Sequence, residues 1–326
     1  MLVITGESDL NLICRREADG IAVLRCETEG GEVVLPGAID GCPVVRLGDY
    51  AFSSTAPKKL PEDCFSVRIS AGSTDSICHH ADALEIVHLP NTVRHLGNYA
   101  FYNCTALQQL FVGECLLDVG TDAFMNCFSL KRVTLNGEPQ NCRCLRSLLQ
   151  QYSGELELRF VCANAPECRL FFPAYDEEYE EMAAPHIFHY NIAGKGYLCR
   201  QSFDGHLFNF AQYDAALDLL LRTHEFELAV RVALNRLEFP VQLSDSARTI
   251  YLDCLRQHSF EALRFLLGRK NMDHLAFFLR LDCLDQAGLS AGCDLARQLH
   301  HTEALSLLLE QQNRRFGAPK AKSFDL

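Results

Sequence analysis

The chain has no long apolar run, no basic cluster and none of the short motifs that mark the commoner catalytic sites. No stretch approaches the roughly eighteen apolar residues that a membrane-spanning helix needs, so membrane insertion is not expected. No basic run offsets a net charge of −12. Such a chain repels phosphate backbones and anionic lipid headgroups, so no nucleic-acid partner is expected. A secretory leader needs a basic start and an apolar core. Here Glu7 and Asp9 come early and the first apolar run is only Leu2 to Ile4, which predicts a cytoplasmic chain. Gly-x-Ser-x-Gly, His-Glu-x-x-His and phosphate-loop patterns are missing, so no catalytic residue and no cofactor are expected and the reading is non-enzymatic.

What is present is an ordinary globular mix, 48% hydrophobic and 22% charged, which excludes a disordered or fibrous chain. The 326 residues suffice for two domains. The 16 cysteines could form a disulfide framework in a secreted protein. Without a leader they read as reduced, buried thiols, which pack as small hydrophobes.

An internal repeat organises the first half. Leu47-Gly48-Asp49-Tyr50-Ala51-Phe52 recurs as Leu96-Gly97-Asn98-Tyr99-Ala100-Phe101 and, with substitutions, as Val119-Gly120-Thr121-Asp122-Ala123-Phe124. The last two copies lie 23 residues apart. A second pattern keeps that step: Leu84-x-x-Val87-x-Leu89, Leu107-x-x-Leu110-x-Val112 and Leu130-x-x-Val133-x-Leu135. Leu156-x-Leu158 continues it with Ser153 in the first position, and Cys64-x-x-Val67-x-Ile69 precedes it by a 20-residue step. Pro57-Lys58-Lys59-Leu60-Pro61 lengthens the preceding turn.

Each such segment places apolar residues on one face of a short strand. One strand cannot bury that face alone, but copies stacked at a fixed period form a parallel ladder around a continuous core. The Ala-Phe pairs supply an inward plug for each coil, and the recurring glycine reads as a tight bend between strand and plug. Core positions on this reading are Phe52, Phe101, Phe124, Leu84, Leu107 and Leu130. Leu12-Ile13-Cys14 and Ile21-Ala22-Val23-Leu24 alternate as a hairpin around Ala18-Asp19-Gly20, the cap that a terminal coil needs.

Val34-Leu35-Pro36, the Leu-Gly-x-Tyr-Ala-Phe blocks, Phe101-Tyr102-Asn103-Cys104-Thr105-Ala106-Leu107 and Phe124-Met125-Asn126-Cys127-Phe128-Ser129-Leu130 resemble BspA-type leucine-rich repeats over residues 12–161. The 51–83 stretch departs from the pattern. The resemblance implies a right-handed solenoid, a binding role rather than catalysis, and secretion in many members. It also implies that Cys104 and Cys127 occupy the family's buried cysteine position.

After Val161 the pattern changes. Pro173-Ala174-Tyr175-Asp176-Glu177-Glu178-Tyr179-Glu180-Glu181 reads as a solvated helix start or linker, or else a docking strip for a basic partner. Residues 186–210 read as strand and turn. From Tyr213 the period is helical: Ala216, Leu217, Leu220 and Leu221 share a face, as do Leu228 and Val232. Helices are predicted near 211–223, 225–237, 245–257, 259–268, 272–282, 289–299 and 302–315, with Ser244 and Asp245 as cap candidates. The stretches 251–267 and 294–309 resemble each other and are similar to ankyrin-type helix pairs, without that family's Thr-Pro-Leu-His turn. The predicted class is therefore α+β. A leucine-rich-repeat β-solenoid with its cap spans 1–161 and an acidic, aromatic connector spans 162–210. An all-α helical-hairpin domain follows at 211–317, with a flexible tail at 318–326.

Outward residues at 23-residue steps, His88, Phe111, Thr134 and Glu157, with Arg68 upstream, are predicted to form a ladder at about 4.8 Å spacing. With Gln109 and Arg132 they are the partner-binding candidates, since aromatics and arginine are enriched at interaction hot spots. The alternative is an ordinary solvated sheet face. Cys142, Cys144, Cys162 and Cys168 could supply four thiolates to zinc, but their spacing is not that of a zinc knuckle, and buried thiols are the plainer reading. His79-His80, beside Cys78, the pair His186 and His189, and His300-His301 have no carboxylate or nucleophile at a defined spacing; they read as surface residues or helix caps. The leading function is an interaction scaffold or adaptor for a protein partner. The alternatives are a cell-surface adhesion protein, by analogy with the family, and a Cys/His metal-binding module or enzyme.

Overall fold

The computed structural model describes residues 2–28, 30–55, 59–71, 83–182, 187–193 and 196–317. The chain divides into two compact units, Met1–Tyr213 and Asp214–Leu326.

The first unit is a β-solenoid. Its strands are β1 (Leu2–Thr5), β2 (Leu10–Glu17), β3 (Gly20–Thr28), β4 (Glu32–Val34), β5 (Ala38–Ile39), β6 (Cys42–Leu47), β7 (Phe65–Ser70), β8 (Ile86–His88), β9 (His95–Leu96), β10 (Gln109–Val112), β11 (Asp118–Val119), β12 (Arg132–Asn136), β13 (Leu156–Val161) and β14 (Cys168–Phe172). Two hairpins follow, β15 (Asp176–Met182) with β16 (Ile187–Ala193) and β17 (Phe203–Asp204) with β18 (Leu207–Phe208). Short helices are α1 (Leu145–Gln150), α2 (Gly196–Arg200) and α3 (Phe210–Ala215).

Among the described residues one sheet runs β4-β8-β10-β12-β13-β14, parallel except for β14. A second runs β1-β7-β2-β3-β6-β9-β11, with β5 paired to β6. Successive coils thus alternate between a long rung in the first sheet and a two-residue rung in the second. The β2–β3 hairpin caps the stack, and Cys26 N–H donates to the Ala51 carbonyl of the first plug loop at 2.8 Å.

The plugs stack ring on ring. Phe52 lies 4.9 Å from Phe101, and Phe101 lies 5.6 Å from Phe124, with interplanar angles of 8° and 11°. All three are buried, and each contributes about 1.5–3 kcal/mol of burial. Tyr152 ends the column edge-on to Phe124, its hydroxyl donating to Leu130 O at 2.6 Å. Cys127 donates its thiol to the Phe101 carbonyl at 3.1 Å and Cys104 to the Phe52 carbonyl at 3.4 Å, binding each coil to the one before. Burial raises both thiols, Cys127 to about 12.

The recurring glycine has a different cause from the bend expected of it. Gly48, Gly97 and Gly120 do not have positive φ. Instead, a Cβ on Gly97 would sit 2.4 Å from Gly48 C, and one on Gly120 would sit 2.6 Å from Gly97 C. The coils approach backbone to backbone here, which only a residue without a side chain allows. The left-handed positions are two residues further on, at Tyr50, Tyr99 and Asp122.

Four features differ from the sequence expectation. Cys64-x-x-Val67-x-Ile69 is not a rung of the first sheet: β7 joins the cap, antiparallel to β2 and parallel to β1. The first rung is β4 instead, with Val33 opposite Val87. The fourth step is longer than 23. Arg132 pairs with Glu157, a step of 157 − 132 = 25, so Leu158 and Phe160, not Leu156 and Leu158, stand opposite Val133 and Leu135, although Leu156 is buried as well. The cause is α1, which replaces the loop of earlier coils. Finally, residues 162–210 are not a bare connector: β14 is an antiparallel strand of the ladder, and the acidic run is strand β15 rather than a helix start.

The second unit is helical: α4 (Leu217–Arg222), α5 (Phe226–Glu238), α6 (Asp245–Gln257), α7 (Ser259–Gly268), α8 (Met272–Arg280), α9 (Gln286–Gln298) and α10 (Thr302–Phe316). The helix predicted over 211–223 is two, α3 and α4, separated at Ala216. Side-chain caps fix four starts. Ser244 accepts from Ala247 N–H at 3.2 Å, Asn271 from His274 N–H at 3.2 Å, Asp285 from Gly288 N–H at 2.7 Å and His301 Nδ1 from Ala304 N–H at 3.5 Å. Residues at positive φ, His224, Lys270 and His300, end α4, α7 and α9 and reverse the chain. Inside, the fully buried Arg236 forks onto Asp214 at 2.7 and 3.1 Å, and Tyr251 donates to the same carboxylate at 2.7 Å. The tail 318–326 lies outside the described residues.

Candidate interaction face

Alternation along each rung of the first sheet gives two outward rows. One reads Glu32, Ile86, Gln109, Arg132, Glu157 and Phe171. The other reads Val34, His88, Phe111, Thr134, Arg159 and Arg169. Between them Val33, Val87, Leu110, Val133, Leu158 and Leu170 are buried in the core.

The register brings His88, Phe111 and Thr134 together and moves the other two candidates. Glu157 sits one row over, opposite Arg132, because of the 25-residue step (157 − 132). Arg68 lies in the second sheet, opposite Val3 and Asn11. Arg159 fills the place predicted for Glu157, and no 23-residue count could have found it. Thr134 is not an exposed residue either: Phe111 and Arg159 flank it and leave it 6% accessible, and its hydroxyl has no hydrogen-bond partner among the described residues.

The face is built of small interacting groups. The His88 imidazole stacks on Phe111 with centroids 4.0 Å apart and planes within 7°, and its Nε2 lies 2.9 Å from Glu32 Oε1. Arg132 donates to Gln109 Oε1 at 3.1 Å. Arg159 forks onto Glu167 at 2.8 and 3.2 Å, and Arg169 reaches the same carboxylate at 2.5 Å. Burial opposes the charge on Glu167, but hydrogen bonds from Arg159 and Arg169 outweigh it and hold the carboxyl below its ordinary value. At the β14 end the face closes: Phe171 is buried, and its backbone exchanges hydrogen bonds with the Tyr213 hydroxyl at 3.1 and 2.5 Å.

The cysteine candidates separate. Cys142 and Cys144 have sulfurs 3.5 Å apart, and the hydrogen bond they share lowers Cys142 and raises Cys144. Cys162 shares a cleft of about 370 Å³ with Cys142 and with Cys115, a thiol the spacing argument had no means to include. Cys168 is buried on β14, opposite Phe160. Among the described residues, no three His, Cys, Asp or Glu side chains converge as metal ligands would. Cys78, His79, His80 and His186 lie outside the described residues, and His189 falls within β16. His301 caps α10, and His300 is the turn residue before it.

A parallel ladder closed by stacked aromatic plugs and glycine-tight coils is a leucine-rich-repeat solenoid. Residues 73–147 match the family model described as BspA type Leucine rich repeat region (6 copies), and over that stretch the chain carries repeats of this type. Three solved structures are similar to part of it. A leucine-rich-repeat protein of T. pallidum shares 26% identity over 40% of this chain and 50% of its own, with a TM-score of 0.28. A leucine-rich cell surface protein of Faecalibacterium prausnitzii shares 21% over 44% and 35%, with a TM-score of 0.27. A leucine-rich-repeat protein of Bacteroides ovatus shares 13% over 42% and 47%, with a TM-score of 0.22. The match thus spans half or less of the length of each. No curated protein matches the chain. No helix among the described residues is long and apolar enough to cross a membrane.

Proposed function

We propose that this chain is a non-enzymatic interaction scaffold that docks a protein partner on the outward face of the first sheet. The observation that carries the reading is the row Val34–His88–Phe111–Thr134–Arg159. A stacked imidazole–phenyl pair is pre-ordered there beside an arginine cluster, on rungs held rigid from below. Rigid aromatic and arginine anchors are the composition of interaction hot spots, because they bury much area at little entropic cost. The helical hairpins, similar in pattern to ankyrin pairs, supply a second candidate surface.

The thiols bear on the compartment. Every described cysteine is free, and most are buried. This supports a reducing interior over the extracellular setting of an adhesion protein. Quantitative mass spectrometry of proteins co-purifying with the wild type and with Phe111→Glu/Arg132→Glu tests the docking face. A partner enriched with the wild type and lost from the variant, with unchanged far-UV circular dichroism, supports it. No enriched protein, or the same set with both, refutes it. Recovery of the native protein only from the cell surface would refute the compartment.

A further inference from the structure

The plug side of the solenoid has its own hydrogen-bond ladder, and that ladder stops one rung short. Each plug loop donates two or three N–H groups to the next coil. Tyr50 and Phe52 donate to the carbonyls of Asn98 and Ala100 at 3.0 and 2.8 Å. Tyr99, Phe101 and Asn103 donate to Thr121, Ala123 and Met125 at 3.0, 2.9 and 3.1 Å. The corresponding donors of the last loop are Asp122, Phe124 and Asn126. A side chain substitutes for the missing coil at the first, Gln151 Oε1 accepting from Asp122 N–H at 2.7 Å. The N–H groups of Phe124 and Asn126 have no acceptor among the described residues. Tyr152 fills the place of the next plug ring, but nothing fills the place of the next backbone.

That place is a cleft of about 650 Å³ lined by Phe124, Met125, Asn126, Phe128 and Gln151, within the range of ligand pockets. Its rim changes character where the ladder opens. Phe128 is 71% exposed and Met125 46% exposed. The same positions one coil earlier are Thr105, exposed, and Tyr102, half-buried. The charged lining is Asp122, Glu155 and Asp176 against Lys131, an excess of carboxylate.

We propose that this cleft takes an extended, basic peptide segment of a partner protein, which adds to the plug ladder as its next rung. Unpaired backbone donors at a rung edge recruit an extended chain through its carbonyls. Phe128 and Met125 cover one apolar side chain of the segment, and the carboxylates select Lys or Arg beside it. A second copy of this chain does not fit as a continuing rung, because the Ala51 carbonyl at the head of the stack is already bonded to the cap through Cys26 N–H. The site is independent of the docking face on the first sheet.

The test selects a phage-displayed library of linear heptapeptides on the full chain and measures binding of the enriched peptides by fluorescence polarisation. The expected peptides combine Lys or Arg with a large apolar residue. They lose at least tenfold in affinity to Phe128→Asp, a substitution at an exposed position. Amide exchange resolved at Phe124 and Asn126 is expected to slow at least tenfold on saturation with peptide. This readout holds even if Phe128→Asp fails to fold. Enrichment of acidic peptides, no enrichment, or unchanged exchange at Phe124 and Asn126 overturns the proposal. So does loss of binding in Phe111→Glu with none in Phe128→Asp, which would leave the docking face standing. Protection of Phe124 and Asn126 by concentration alone, with dimers in sedimentation, would assign the edge to a second copy and overturn it as well.

Discussion

Replacing Gly97 by alanine decides between two reasons for the glycine. If it served only a bend, alanine would be tolerated, because φ at Gly97 is not positive. The geometry says otherwise. The new Cβ would lie 2.4 Å from Gly48 C and 2.5 Å from Asp49 N, both backbone atoms that cannot swing aside. Restoring ordinary contact opens the two coils by about 1 Å. That lengthens the Asn98 N–H to Asp49 Oδ1 bond, now 2.8 Å, and the Tyr50 N–H to Asn98 O bond, now 3.0 Å. Overpacking costs about 1–3 kcal/mol, and each weakened hydrogen bond about 1 kcal/mol. The sum is about 3–5 kcal/mol, or a fall of about 1–1.7 M in the urea midpoint of the solenoid for an m-value near 3 kcal/mol/M. Far-UV circular dichroism follows the transition, and hydrogen-exchange mass spectrometry of peptides from 84–135 assigns it to the first unit. Gly268→Ala is the counterpart: at the end of α7 an added Cβ meets nothing within 4 Å. It is expected to raise the stability of the second unit by about 0.5–1 kcal/mol through helix propensity. A wild-type midpoint for Gly97→Ala would refute the close-packing argument.

Three further outcomes follow from the packing. Asp214→Ala removes the carboxylate that faces the buried Arg236 guanidinium, leaves its charge without that counter-charge, and is expected to cost about 3–5 kcal/mol in a urea melt of the second unit, against about 1 kcal/mol for Tyr251→Phe. At pH near 8, maleimide labelling read by mass spectrometry is expected to modify the exposed Cys115 first. Cys127 and Cys254, raised to about 12 by burial, are expected to react only as fast as the chain unfolds. The lowered carboxyl of Glu167 contributes stability that is fully present above the ordinary glutamate pKa and is lost as pH falls through its folded value. Glu167→Gln is therefore expected to flatten the loss of stability between roughly pH 5 and pH 3 in acid melts.

The repeat was legible because its cause is local and recurs. A 23-residue step places Leu110 and Val133 in register whatever surrounds them, and the structure pairs them. Periodicity failed where the step itself changed. Helix α1 adds two residues between β12 and β13, and a count of 23 then points to Glu157 when Arg159 is the neighbour of Thr134. It failed again at Cys64-x-x-Val67-x-Ile69, whose alternation fits any half-buried strand and does not say which sheet takes it. The helices and the Ser244 cap were readable from apolar spacing and cap chemistry. The pairing of Asp214 with Arg236 and Tyr251 was not, because nothing in a sequence marks which charges meet across a fold. The open plug edge was invisible for the same reason: it depends on backbone donors, which every residue except proline carries alike.

The contacts that tie coil to coil make the length of this solenoid a quantised property. Asn126 Nδ2 donates to Asn103 Oδ1 at 2.7 Å, and Thr121 N–H donates to Asn98 Oδ1 at 2.9 Å, each across 23 residues. A duplicated segment of 23 residues inserted between these coils would find every rung, plug and side-chain bridge waiting for it. A single inserted residue would turn Phe101 toward water and set the glycine contact against a residue that has a side chain. Growth or loss by gene duplication is therefore open to this fold in whole coils, while small insertions are confined to the turns that no bridge crosses.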